Sequence, residues 1–165
     1  MKELEENLFK ECVENVYKRN ISYPHSRVQE ELSRYLIKKY LSNINKIKCE
    51  YEVKTINEKG NNINWFLDLY LETDNGKKYF VEIKTRYDYY DEEFFRRKIW
   101  KIVNSNEFKS GKDNVVVFCL PNKFNKEIIY EIERFLNEYK VKTNVGLILY
   151  DMKEDGFVWT LYLQE

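Results

Sequence analysis

Neither sign of charge is in excess in this sequence: 28 lysines and arginines stand against 28 aspartates and glutamates, a formal net charge of zero. That excludes a uniformly basic surface, so any contact with nucleic acid has to come from a local patch. Cysteine is scarce. Cys12, Cys49 and Cys119 are odd in number, far apart and without zinc-site spacing; they read as reduced, buried thiols of a cytoplasmic protein. His25 is the only histidine, and as a single loop residue ahead of a helix it reads as incidental. Long apolar runs are missing too. The longest, "VVVFCL" (115–120), is far too short to cross a bilayer, so no membrane partner is expected. The opening "MKELEENLFKE" is acidic and amphipathic, unlike a signal peptide.

What is present suits a folded core. Apolar residues make up 43% of the chain, with ten Phe, fourteen Tyr and three Trp, which argues against disorder. A length of 165 residues points to one domain over 1–165. Leu4, Leu8, Cys12 and Val16 have helical spacing within 2–19. Ser26 then heads S-x-x-Q, a capping-box pattern, and predicts a second helix to about Leu41, its apolar face made by Val28, Leu32, Tyr35 and Leu36. Three strands follow: "IKCEYEVKTI", "NWFLDLYLET" and, after "DNG", "KKYFVEIKTR". Residues 91–104 read as a helix, "VVVFCL" as a central strand buried on both faces, residues 125–139 as another helix, and "VGLILY" and "FVWTLYL" as closing strands. The order α-α-β-β-β-α-β-α-β-β predicts the α/β class, a mixed central sheet flanked by helices.

One tetrapeptide occurs twice, as "EVKT" (52–55) and "EIKT" (82–85). Binding a divalent cation for phosphodiester chemistry requires at least two acidic ligands converging on one point, so a partner carboxylate decides which copy matters. "EIKT" has one. Asp68 is alone among apolar neighbours in "WFLDLYL", and a carboxylate there is costly unless something pairs with it. Strict alternation puts Trp65, Leu67, Leu69 and Leu71 on one face and Phe66, Asp68 and Tyr70 on the other. If Asp74-Asn75-Gly76 is a three-residue loop with Gly76 left-handed, Thr73 pairs with Lys77 and Asp68 lies opposite Glu82, with Cβ atoms about 4.5–5.5 Å apart. A two-residue Asn75-Gly76 turn would pair Asp68 with Ile83 and separate the acids. The first register is preferred because it gives the inward acid a reason to exist. In the other copy, Glu50 and Glu52 share a face with Lys48 and Lys54, as on a solvated edge strand, and "EVKT" reads as structural.

Asp68, followed after thirteen residues by Glu82-Ile83-Lys84, resembles the PD-(D/E)xK nuclease superfamily, which includes restriction endonucleases and archaeal Holliday junction resolvases. The resemblance implies a restriction endonuclease-like core over about 26–120: a helix, a three-stranded meander carrying the Asp and the ExK, a helix and a further strand. Residues 2–19 would add an N-terminal helix, and 125–163 would extend the sheet. Leu67 stands where the family often has proline. The family also implies Mg2+ or Mn2+ held by Asp68 and Glu82, Lys84 as a catalytic group, and DNA as substrate. Many members add an acid from the preceding helix. Glu30 and Glu31 are the candidates; Glu31 borders the apolar face and is the preferred metal ligand, and both acids also read as solvated.

Arg86, Arg96, Arg97, Lys98 and Lys101 follow the motif closely. Arg97 and Lys101 are one turn apart and, with Arg86, are candidate phosphate contacts or simply a solvated helix face. Tyr87, Tyr89 and Tyr90 could stack on unpaired bases, pack a loop or form a homodimer contact. The resulting expectation is a Mg2+-dependent deoxyribonuclease, endo- or exonucleolytic. The alternatives are a catalytically inactive relative that binds nucleic acid or protein, and a small interaction module in which Asp68 and Lys84 form only a buried ion pair.

Overall fold

The computed structural model describes residues 1–86 and 91–163. Helix α1 (Lys2–Lys18) and helix α2 (His25–Tyr40) precede strands β1 (Ile44–Ile56), β2 (Asn62–Thr73) and β3 (Lys78–Ile83). Helices α3 (Glu92–Val103) and α4 (Asn106–Ser110), strand β4 (Asn114–Pro121), helix α5 (Ile128–Glu138) and strands β5 (Asn144–Lys153) and β6 (Gly156–Leu163) complete the described chain. The six strands form one mixed sheet in sequence order. The β1–β2, β2–β3 and β5–β6 pairs are antiparallel; β3–β4 and β4–β5 are parallel. This is the α/β architecture that the order of periodic segments predicts. No helix among the described residues is long and apolar enough to cross a membrane.

Helices cover the sheet on both faces. On one, Phe9, Cys12, Val13 and Val16 of α1 and Val28, Leu32, Leu36 and Ile37 of α2 pack over Cys49, Leu69, Val81 and Val117. On the other, Phe95, Ile99 and Ile102 of α3 and Ile132 and Phe135 of α5 pack over Leu67, Phe80, Phe118 and Leu147. β4 is buried along its whole length, as its unbroken apolar run requires. Each such side chain contributes roughly 1.5–3 kcal/mol by leaving water.

Three local expectations fail. The helical spacing of α1 holds, but its buried stripe is shifted to Phe9, Cys12, Val13 and Val16, leaving Leu4 57% exposed. Ser26 does not cap α2: the helix starts at His25 with no side-chain cap hydrogen bond, and the Ser26 amide donates to Ser22 O at 3.0 Å. Gln29, the supposed capping partner, is fully buried and reaches into the sheet. Strict alternation along β1 and β2 also breaks. Cys49 and Leu69 face α1 and α2, whereas their neighbours Tyr51 and Leu67 face α3. The switch falls at Glu50, whose φ of +48° is left-handed, and at Asp68 alongside it. An acid at that break is turned inward on an edge strand, which simple alternation cannot reveal.

Candidate metal and phosphate site

The turn that positions the acids is the three-residue one. Thr73 N donates to Lys77 O at 2.9 Å and Gly76 N to Thr73 O at 3.0 Å. Gly76 has φ +85°, a conformation glycine adopts without a Cβ penalty. The β2–β3 ladder then runs from Glu72–Lys78 to Leu69–Val81 and stops. The next step in this register is Asp68 opposite Glu82.

At that step the carboxylates replace the backbone ladder. Ile83 N donates to Asp68 Oδ2 at 2.7 Å, and Asp68 N donates to Glu82 Oε1 at 3.4 Å. Each acid thus satisfies an amide on the opposite strand, which holds two like charges side by side. Asp68 keeps 13% of its side chain exposed and Glu82 only 1%.

Basic side chains approach from both faces of the sheet. His25 Nε2 at the start of α2 lies 3.4 Å from Asp68 Oδ1. Lys98 Nζ on α3 lies 3.6 Å from Glu82 Oε2. Burial raises the Glu82 pKa well above its ordinary value, the Asp68 charge adds to this, and Lys98 offsets part of it. Burial would raise Asp68 too, but hydrogen bonding and charge from His25, with help from Glu82 and the Ile83 amide, bring it below its ordinary value. Burial lowers the pKa of His25, but Asp68 outweighs that and the net shift is upward. The pair is therefore asymmetric: Asp68 holds its charge and Glu82 tends to keep a proton.

Glu50 supplies a third buried carboxylate close by, contrary to the solvated edge expected for it. Arg19 Nε donates to its Oε1 at 3.0 Å, and Gln29 Nε2 to its Oε2 at 2.7 Å. The same Gln29 nitrogen donates to Asp68 O at 3.1 Å. Burial, partly offset by Gln29 and Arg19, raises the Glu50 pKa. Glu52 and Lys54 are exposed on the edge strand, as read from the sequence.

The remaining candidates fall in different places. Lys84 N continues the pairing with β4 by donating to Cys119 O at 3.0 Å, and Lys84 Nζ lies 4.8 Å from the Phe94 ring centre. It projects toward α3, as Glu82 does, but Lys98 is the lysine that meets the acid. Glu31 pairs with Arg27 at 3.7 Å, and Glu30 accepts from Tyr17. The inward positions of α2 belong to His25 and Gln29, one turn apart, and Glu31 lies two residues, about 200°, around the helix from Gln29. Arg86 and Arg97 are exposed, while Lys101 is half-buried with Nζ 5.4 Å from the Trp65 ring centre. Arg96 is tied to Glu92 and Glu138 and serves α3–α5 packing. Tyr87, Tyr89 and Tyr90 lie outside the described residues.

Among the described residues no cluster of three or more His, Cys, Asp or Glu side chains is arranged to hold a metal ion. The donor types are those a hard divalent cation takes, although Glu82 and Gln29 approach Asp68 from opposite sides of the sheet. Glu82 Oε2 and Gln29 Oε1 are buried acceptors without a hydrogen-bond partner, beside the charged Asp68, and carboxylate and amide oxygens are the ligands Mg2+ and Mn2+ prefer. Reasoning from sequence missed His25, Gln29 and Glu50. The i, i+4 spacing of His25 and Gln29 was a readable signal; the left-handed turn at Glu50 was not. Compared with protein-family models, curated proteins and solved structures, the chain matches none.

Proposed function

We propose that this protein is a metal-dependent deoxyribonuclease of the PD-(D/E)xK type, working in a reducing, cytoplasmic setting. The observation that carries the reading is the Asp68–Glu82 step: two acids opposed at the end of a ladder, with Glu82 Oε2 buried, accepting no hydrogen bond and facing the Lys98 ammonium at 3.6 Å. The order helix, three-stranded meander, helix, strand over α2 to β4 supports the same reading. Three buried free thiols support the reducing setting.

In this proposal Asp68 and Glu82 hold Mg2+ or Mn2+. Such an ion supplies Lewis-acid stabilisation of charge on the phosphate oxygens. The proton favoured on Glu82 leaves when the cation arrives, so occupancy rises with pH. Lys84 orients the attacking water and offsets the charge that develops on the phosphorane. Arg86, Arg97 and Lys101 take neighbouring phosphates, which gives a locally basic surface on a chain of zero net charge.

A second reading has its own support. Lys98 already neutralises part of Glu82, and Lys84 rests against Phe94; both suit a relative that binds nucleic acid without cutting it. Incubation of supercoiled, linear, branched and single-stranded DNA with Mg2+, Mn2+ or EDTA decides between them. Cleavage that requires the metal and disappears in Asp68→Asn supports the enzyme. Binding without cleavage of any form supports the second reading.

A further inference from the structure

A cavity of about 490 Å3 opens where the free end of the β1–β2 hairpin meets the α3–α4 junction; Asn64 of its lining lies four residues, about 13 Å, along β2 from Asp68. It is lined by Lys54, Asn62 and Asn64 from the hairpin and by Asn104, Asn106 and Lys109 from the helical side. Four carboxamides and two ammonium groups share the hollow with Thr55, Ile56 and Ile63, and no acid is among the lining residues; the Asn104 amide also donates to Trp100 O at 2.9 Å. Carboxamides present a donor and an acceptor side by side, the pattern of a nucleobase edge.

Two lysines of α3 lie between the acid pair and the cavity edge. Lys98, beside Glu82, and Lys101, one turn on, both lie 5.4 Å from the Trp65 ring centre. Thr55 Oγ1 donates to Lys101 O at 2.6 Å and so fixes α3 against the hairpin at the cavity edge. From Lys98 to Asn104 the helix advances about 9 Å, the span of one or two nucleotides.

We propose that this cavity receives an unpaired nucleotide of the DNA strand, its base among the Asn62, Asn64, Asn104 and Asn106 amides and its phosphates along Lys98, Lys101 and Lys109. The Watson–Crick edge of a base is free for such contacts only where the nucleotide is unpaired, so the preferred DNA carries a single-stranded segment. This rests on the nuclease reading and specifies its substrate.

The test is fluorescence anisotropy in EDTA with a labelled duplex carrying a short single-stranded overhang, compared with the matching blunt duplex. Wild type should bind the overhang form roughly tenfold more tightly, in line with one set of base-edge hydrogen bonds. The variant Asn64→Ala/Asn106→Ala, changed only at exposed positions, should lose that preference and bind the blunt duplex within about threefold of wild type, since no cation is removed. Equal binding of both forms by wild type, or an unchanged preference in the variant, overturns the inference while leaving metal-dependent cleavage intact. Failure to bind or cut any DNA overturns the nuclease reading as well.

Discussion

Glu82 is the residue on which the electrostatics of the site turn. It is buried, faces Asp68, and is ion-paired with Lys98. Its folded pKa lies above the unfolded value, so the folded state binds the extra proton between the two. Stability from this group is therefore fully present below the ordinary glutamate pKa and is lost as pH rises through the folded value. Glu82→Gln removes the penalty. In EDTA the variant should melt at a higher temperature than wild type at pH 8, and the gap should close as pH falls toward the ordinary glutamate range; identical pH profiles would contradict the assignment. Lys84 belongs to a different step. Lys84→Ala removes a charge but no metal ligand, so Mn2+ should bind at least as tightly while DNA nicking falls by about 10²–10³, the loss of roughly 3–4 kcal/mol of transition-state stabilisation. Normal nicking by Lys84→Ala would make it an ordinary strand residue resting on Phe94. Glu52 provides a contrast within the echoed tetrapeptide. Exposed on β1, Glu52→Ala should cut within a few-fold of wild type, and a loss matching that of Glu82→Ala would transfer the chemistry to the wrong copy.

At the scale of elements, the β2–β3 hairpin does most to place the site. Its turn was legible because Asp74-Asn75-Gly76 offers one glycine where a three-residue loop needs a left-handed residue, and the isolated Asp68 chose between the two registers. Gly76→Ala puts a Cβ on a residue at φ +85° and should cost about 1–2 kcal/mol, measured by urea unfolding. Nothing lies within 4 Å of the added Cβ, so the cost is conformational rather than steric. An unchanged midpoint would mean that the turn tolerates another form and does not pin Asp68 to Glu82. The β1–β2 pair was less legible. Its faces exchange at Glu50 and Asp68, and no period-two reading survives a left-handed residue within a strand. Helix α2 was predicted within two residues of both ends, but the capping-box reading assigned Gln29 to the helix start, whereas it bridges Glu50 and Asp68. The local motif was compatible with either outcome; the buried carboxylates, distant in sequence, decided it.

Across the whole molecule, the order of elements apart from the short α4, and the two-sided burial of β4, could be read from periodicity because long apolar stripes are set by the core itself. The site was half legible. Asp68, Glu82 and Lys84 follow one another on adjacent strands, whereas His25, Glu50 and Lys98 arrive from three other elements and meet only in the fold. Those three now define the setting: one basic side chain for each acid of the pair, from opposite sides of the sheet, and a third carboxylate held by Arg19 and Gln29. The central claim is that this setting is a cation site poised for phosphate chemistry. Calorimetric titration of Mn2+ into wild type and Asp68→Asn tests it most directly. Wild type should take up Mn2+ with release of protons, more tightly at pH 8 than at pH 6, and Asp68→Asn should bind at least about tenfold more weakly. No binding by wild type, or equal binding by the two proteins, would contradict it.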